Sequence, residues 1–132
     1  MPIFQGGCTV SMECHGQPNN AEEENLYLGD LSNNTPAIIA QVYMGLVGVV
    51  SQEDPSMPLV TAGSPATSFL SQKIQDTQNN FDSDCAKATT LCSMDCSAQN
   101  PCGTAMPYNN PSIGSTRIDT INSWISQGAK NN

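Results

Sequence analysis

Two cysteines and the only histidine lie close together near the start of the chain. Five residues separate Cys8 from Cys14, and His15 follows Cys14 directly. A cysteine directly before a histidine suits c-type haem attachment, because the thiol adds to a haem vinyl group and the adjacent imidazole then lies under the iron. The usual spacing is C-x-x-C-H. Three extra residues must therefore bulge outward here if both thiols reach the vinyl groups.

The same three residues allow two other arrangements. In one, only Cys14 is attached to haem. In the other, Cys8 and Cys14 form a disulfide that closes a tight loop. From the spacing alone, the structural disulfide is the favoured interpretation.

A thioether late in the chain could supply a second iron ligand. Met106 precedes Pro107 on a loop that leads into the last helical pattern. A methionine there can reach the opposite face of a haem, and Met/His ligation raises the reduction potential of cytochromes c. Taken by itself, Met106 is better interpreted as a side chain that fills a gap in the core.

The other four cysteines lie in one polar, Asn- and Ser-rich segment: Cys85, Cys92, Cys96 and Cys102. We expect two disulfides among them, and four cysteines allow three pairings. A tetrathiolate zinc site is the alternative, but such sites usually contain closer cysteine pairs than the spacings of six, three and five residues found here.

Acidic residues offer a weaker possibility of a metal site. They form two groups, residues 22–24 with Asp30, and Asp76, Asp82 and Asp84 with Asp95. Neither group fits an EF-hand loop, so we interpret them as solvated loop acids. The sequence also has no G-x-S-x-G elbow and only one histidine, which argues against a hydrolase. We do not expect an enzyme.

Three helical patterns would position these residues. The first covers residues 36–47, with Thr35 as N-cap and Pro36 in the first turn, and Gly48 ends it. The second opens at Ser64 and Pro65 and runs to about residue 76. Their apolar positions recur at helical spacing: Ile38, Ile39, Val42, Tyr43 and Leu46 in the first, and Phe69, Leu70 and Ile74 in the second.

The last helix has the clearest pattern. Ser115 or Thr116 would cap it, and Gly128 would close it. Ile118, Ile121, Trp124 and Ile125 form one apolar stripe. Residues 77–114 read as a long loop region, with a short helix at about residues 84–91. The sequence therefore predicts an all-α domain with long, disulfide-cross-linked loops.

Composition limits the organisation and the partners of the protein. With 132 residues, we expect a single domain over 1–132. Four Lys and Arg against twelve Asp and Glu give a formal charge of −8, which excludes the cationic surface that nucleic acids or anionic membranes require. No apolar run approaches the roughly 20 residues of a membrane span. An acidic surface favours a basic partner.

Cysteine content indicates the compartment. Six cysteines in 132 residues are typical of an oxidising environment, although the N-terminus has no signal-peptide pattern. We therefore expect a periplasmic or extracellular location. The start at Pro2 suggests a preceding segment, so the domain is expected to belong to a larger exported protein.

The order of these features resembles the class I cytochrome c fold. It is most similar to the c-type-cytochrome-like domains of secreted proteins from myxobacteria and planctomycetes. The matching stretches cover the chain from end to end: residues 2–4, 14–16, 43–49, 60–70, 106–107 and 124–132. The chain departs from this family in its C-x5-C-H spacing, and the cysteine cluster at 85–102 is an insertion relative to the plain family pattern.

This resemblance implies an electron-transfer domain that carries one haem c. It implies thioether attachment at Cys14 and Cys8, with His15 as the proximal iron ligand and Met106 as the distal one. The first helix would pack against the last helix at Ile118, Ile121 and Trp124, and a basic redox partner would meet the haem edge. The alternative is a haem-free domain of the same fold, held by disulfides, that acts as a binding or structural module.

Overall fold

Helices build the described part of the protein, and no strand is found there. The computed structural model describes residues 4, 8–9, 15–18, 25–30, 35–88, 96–108 and 112–131. Its α-helices within these ranges are α1 (Pro36–Leu46), α2 (Phe69–Gln75), α3 (Asp82–Cys85) and α4 (Ser115–Ser126), and 3-10 turns cover Pro65–Thr67 and Gln78–Phe81. The all-α prediction is confirmed. None of these helices is long and apolar enough to cross a membrane.

Helix α1 forms where local signals predicted it. The hydroxyl oxygen of Thr35 accepts a hydrogen bond from the amide of Ile38 at 3.4 Å, which satisfies one of the first amides of the helix. The helix ends at Leu46, one residue before the predicted end, and the backbone is extended at Val47. Val42 and Leu46 are fully buried, so the predicted apolar face does point into the core.

The second predicted helix is interrupted. Ser68 has an extended backbone and separates the 3-10 turn from α2. The amides of Phe69 and Leu70 donate to the carbonyl oxygens of Pro58 and Leu59, at 2.9 and 3.0 Å. These amides therefore bond a distant segment rather than the preceding turn. A continuous helix over residues 65–76 was a wrong prediction, because a long-range contact replaces the local one.

Helix α4 has the predicted stripe but a different cap. Its N-cap is Gly114, at φ 87°, and no side chain caps the helix, so the prediction of Ser115 or Thr116 as cap was wrong. A positive φ suits glycine because it has no Cβ. Within the stripe, Ile121 and Ile125 are fully buried, whereas Trp124 is half-buried.

One hydrophobic core joins the helices. Helix α1 contributes Val42 and Leu46, and α4 contributes Ile121 and Ile125 to the same cluster. Helix α4 lies directly against α2 and the 65–67 turn. A hydrogen bond from Ser71 Oγ to an amide oxygen of Asn122, at 2.7 Å, links α2 to α4. Helices α1 and α4 both contribute to this core, but α4 packs directly against α2 and the 65–67 turn. The predicted direct packing of the first helix on the last is not found among the described residues.

A second, smaller cluster surrounds a disulfide. Cys85 and Cys102 are bonded and fully buried, and they pack with Met57, Phe69 and Phe81. This bond confirms one cross-link within the loop region. Cys96 is also disulfide-bonded, and Cys92 lies outside the described residues.

The short helix in this region differs from the prediction. Helix α3 covers residues 82–85 instead of about 84–91. Its bounds place Cys85 in the last position of the helix, so α3 presents one end of the disulfide to the cluster around Phe69. Residues 89–91 lie outside the described part of the chain.

Candidate functional site

Backbone hydrogen bonds bring two of the predicted site residues together. The amide of His15 donates to the carbonyl oxygen of Cys8 at 3.1 Å, and the amide of Leu28 donates to the carbonyl oxygen of His15 at 2.9 Å. These bonds join Cys8 to His15 and tie His15 to the core at Leu28. Cys14 lies outside the described residues, so its predicted bond to haem or to Cys8 stays a prediction.

The His15 ring is held in one orientation. Its Nδ1 lies 3.0 Å from the carbonyl oxygen of Leu26. A carbonyl oxygen can only accept, so Nδ1 carries the proton and donates it. The ring lone pair is then at Nε2. Histidine ligands of metals usually have this arrangement, in which the other ring nitrogen donates to a carbonyl and fixes the tautomer.

Burial keeps this imidazole neutral. Desolvation lowers the pKa of His15 below its usual 6.5, and the positive charge of Lys73 lowers it further. The hydrogen bond to Leu26 acts in the opposite direction. A neutral imidazole is the form that binds a metal ion. The chemistry and orientation of His15 therefore fit an axial iron ligand.

Cys8 lies beside this histidine in an apolar setting. Its side chain is 8% exposed and belongs to the main core cluster with Phe4 and Leu28. Burial of this kind suits a covalent link to a buried group or to another cysteine.

Met106 lies on a different loop with its own anchor. Its amide donates to the carbonyl oxygen of Lys73 in α2 at 3.0 Å, and its peptide bond to Pro107 is cis. The half-buried side chain lines a cavity of about 220 Å³ together with Ile74, Gln75 and Ile118. His15 is not part of that lining. Sites that enclose drug-sized ligands are larger, about 300–1,000 Å³.

The two predicted iron ligands, His15 and Met106, thus lie on separate elements. Lys73 is linked to both, because its charge lowers the pKa of His15 and its backbone carbonyl accepts a hydrogen bond from the amide of Met106. Among the described residues, no three acidic, cysteine or histidine side chains are grouped to hold a metal ion. The Cys85–Cys102 disulfide also uses two of the four thiols that a zinc site would need.

Sequence reasoning did not identify Lys73. It lies three and four residues after Leu70 and Phe69, on the apolar face of α2, and only 5% of it is exposed. A charged residue at core-facing spacing was the available signal, since lysine is almost never fully buried unless it is paired.

Comparison of the chain with protein-family models, curated proteins and solved structures finds no match.

Proposed function

We propose that this domain transfers electrons by means of one covalently attached haem. The observation that supports it most strongly is the His15 imidazole, which is half-buried and fixed by a hydrogen bond from Nδ1 to a backbone carbonyl, and whose pKa is lowered by burial. It is the only histidine in the chain, and it follows a cysteine directly. The order of the cysteine pair, histidine and late methionine along the chain supports the same assignment.

Each residue has a definite part in this proposal. Cys14 and Cys8 would form the thioether attachments, and His15, through Nε2, and Met106 would be the ligands of the iron. When bound, haem supplies a one-electron couple in which the iron is ferrous or ferric. The carbonyl of Leu26 holds the His15 ring and so fixes the direction of Nε2.

The rest of the chain is consistent with an exported redox domain. A formal charge of −8 favours a basic partner protein, because complementary charge speeds encounter. The buried Cys85–Cys102 disulfide is typical of the periplasm or the extracellular space. This protein would pass electrons and catalyse no bond-breaking reaction itself.

Intact mass under reducing and denaturing conditions is the decisive experiment. The protein is produced by export in a host that attaches haem to cytochromes c. A mass increased by one haem, together with a Soret band and sharp reduced α and β bands, is the expected result. A colourless protein at its unmodified mass would overturn the proposal.

A haem-free binding or structural module is the second candidate. Two observations favour it: the cavity beside Met106 is small and is not lined by His15, and core residues such as Leu46 and Ile121 are fully buried by protein alone. In that case Cys8 and Cys14 form the disulfide. The intact mass then contains no haem, and reduction raises it by two hydrogens for each disulfide.

A further inference from the structure

Lys73 is a buried cation that connects three segments. Its ammonium donates to a carboxylate oxygen of Glu53 at 2.8 Å and to the carbonyl oxygen of Cys102 at 2.9 Å. Lys73 is buried and Glu53 is half-buried, with side chains 7% and 11% exposed. The ammonium also lies 5.8 Å from the ring centroid of Phe69. Lys73 thus joins α2 to Glu53, in the connection between α1 and α2, and to Cys102, which is one end of the disulfide.

Burial of this ion pair is costly unless its hydrogen bonds are well satisfied. Desolvation of each ion costs several kcal/mol, and well-packed apolar residues often replace such pairs without loss. The Lys73–Glu53 ion pair is therefore weak evidence that Lys73 serves only to stabilise the fold. What an apolar side chain at this position could not do is hold the carbonyl of Cys102.

The segment that ends at Met106 is held at two points by this one residue. The Lys73 side chain binds the carbonyl of Cys102, and the Lys73 backbone carbonyl binds the amide of Met106. Between them, Gly103 has φ 65°, and its carbonyl oxygen accepts from Gln78 Nε2 at 3.3 Å. The disulfide fixes the Cys102 side chain, whereas Lys73 fixes the direction of the Cys102 carbonyl and so the path of the segment.

We propose that Lys73 is a positioning residue for Met106. By holding the Cys102 carbonyl, its ammonium sets where the Cys102–Met106 segment places the thioether. The consequence for the iron rests on the proposed function. In a haem-bearing protein, Lys73 would determine how firmly Met106 binds the iron.

Amide hydrogen exchange tests this directly. The variant Lys73→Met with Glu53→Gln removes both charges without leaving one of them buried alone. We expect the Met106 amide to exchange at least about tenfold faster relative to the Ile125 amide in α4, because a local opening changes only the amides near it. A purely structural role would accelerate both amides equally.

Lys87→Met is the matched control. Lys87 forms an ion pair with Asp84 at 2.6 Å near the same disulfide, but its side chain is 69% exposed. We expect the ratio of the Met106 and Ile125 exchange rates to stay within about twofold of wild type, since surface pairs contribute little.

Two results would overturn the inference: an unchanged ratio in the double variant, or equal acceleration of both amides. If the double variant does not fold, Lys73→Arg decides. It keeps the charge beside Glu53 but changes the geometry at the Cys102 carbonyl, so the ratio should rise by at least about threefold. An unchanged ratio in folded Lys73→Arg would equally overturn the inference.

The haem-bearing protein adds a second measurement. There, the double variant should weaken the sulfur-to-iron band of the oxidised form and lower the potential, while haem attachment measured by mass stays complete. A protein without haem would overturn the proposed function, yet the exchange ratio would still decide whether Lys73 positions Met106.

Discussion

The amide of Leu28 donates to the carbonyl oxygen of His15 at 2.9 Å, so the only histidine is tied to a core residue that is 1% exposed. Two residues earlier, the carbonyl of Leu26 accepts from the His15 ring at 3.0 Å. The short 26–28 segment therefore fixes both the backbone and the ring of His15. Because Leu28 belongs to the core, the packing of the core determines the direction of Nε2.

Replacement of His15 by alanine should largely prevent a stable holoprotein. The chain has no second imidazole that could replace the proximal ligand. The measurement is the haem absorbance per protein after export in a haem-attaching host. Gln17→Ala, an exposed change two residues away, is the control and should keep the wild-type haem content. Full haem content with an unaltered spectrum in His15→Ala would contradict the ligand assignment.

The stability of haem-free protein should fall as the pH falls below about 6.5. Burial lowers the pKa of His15 in the folded state, whereas the unfolded chain has the usual value of 6.5. Below that value the unfolded state binds a proton that the folded state does not, so unfolding becomes easier, by at most about 1.4 kcal/mol per pH unit for one group. Stability from this group is fully present well above pH 6.5 and is lost as the pH falls through 6.5 toward the lower pKa of the folded state.

Denaturant unfolding at a series of pH values, in protein whose mass shows no haem, measures this effect. His15→Gln is the reference, since it removes the titrating group and keeps the carboxylates that titrate at lower pH. The difference in unfolding free energy between the two proteins should change between about pH 7.5 and 5.5. A constant difference over that range would show that His15 does not titrate as stated.

Local signals were sufficient for part of the fold. Thr35 and Pro36 set the start of α1, and the stripe of α4 was evident from the spacing of Ile121 and Ile125. These features depend on residues within one or two turns of each other. The same holds for the Cys-His pair, whose chemistry is visible in two adjacent residues.

Long-range contacts explain what the sequence did not reveal. Ser68 interrupts the second helix, and its hydroxyl accepts from the amide of Thr61 at 2.8 Å and donates to the Ser64 carbonyl at 2.7 Å. Lys73 can be buried because its ammonium donates hydrogen bonds to Glu53, twenty residues earlier, and to the Cys102 carbonyl, twenty-nine residues later. Partners this distant produce no periodic pattern in the chain.

Ile125→Ala should destabilise the protein more than Trp124→Ala. Ile125 is fully buried in the core, so the loss should be about 2–5 kcal/mol. Trp124 is half-buried, and its Nε1 donates to the carbonyl of Lys130 at 3.0 Å, so a loss of about 0.5–3 kcal/mol is expected. Denaturant unfolding gives both values, with the exposed Ser123→Ala as control. The reverse order would show that Trp124 is an essential core residue.

Removal of the Cys85–Cys102 disulfide should lower the free energy of unfolding by about 3 kcal/mol. This is the loop-closure entropy expected when a bond that closes a loop of this length is removed. The sequence separation is 17 and both cysteines are fully buried. The double change to alanine avoids new buried hydroxyls, and unfolding in denaturant measures the loss against oxidised wild type. A loss below about 1 kcal/mol would mean that other contacts, such as Lys73 to the Cys102 carbonyl, already hold the loop.

Met106→Ala should leave haem attached but change its axial ligation. The thioether is the proposed distal ligand, so its removal should abolish the weak sulfur-to-iron band of the oxidised protein and lower the potential. Visible spectroscopy and a redox titration measure the two effects. Met44→Ala is the matched control, because Met44 is 69% exposed on α1, and it should leave both properties unchanged. An unchanged spectrum and potential in Met106→Ala would exclude Met106 as the ligand even in a haem-bearing protein, and the sixth position would then belong to another group.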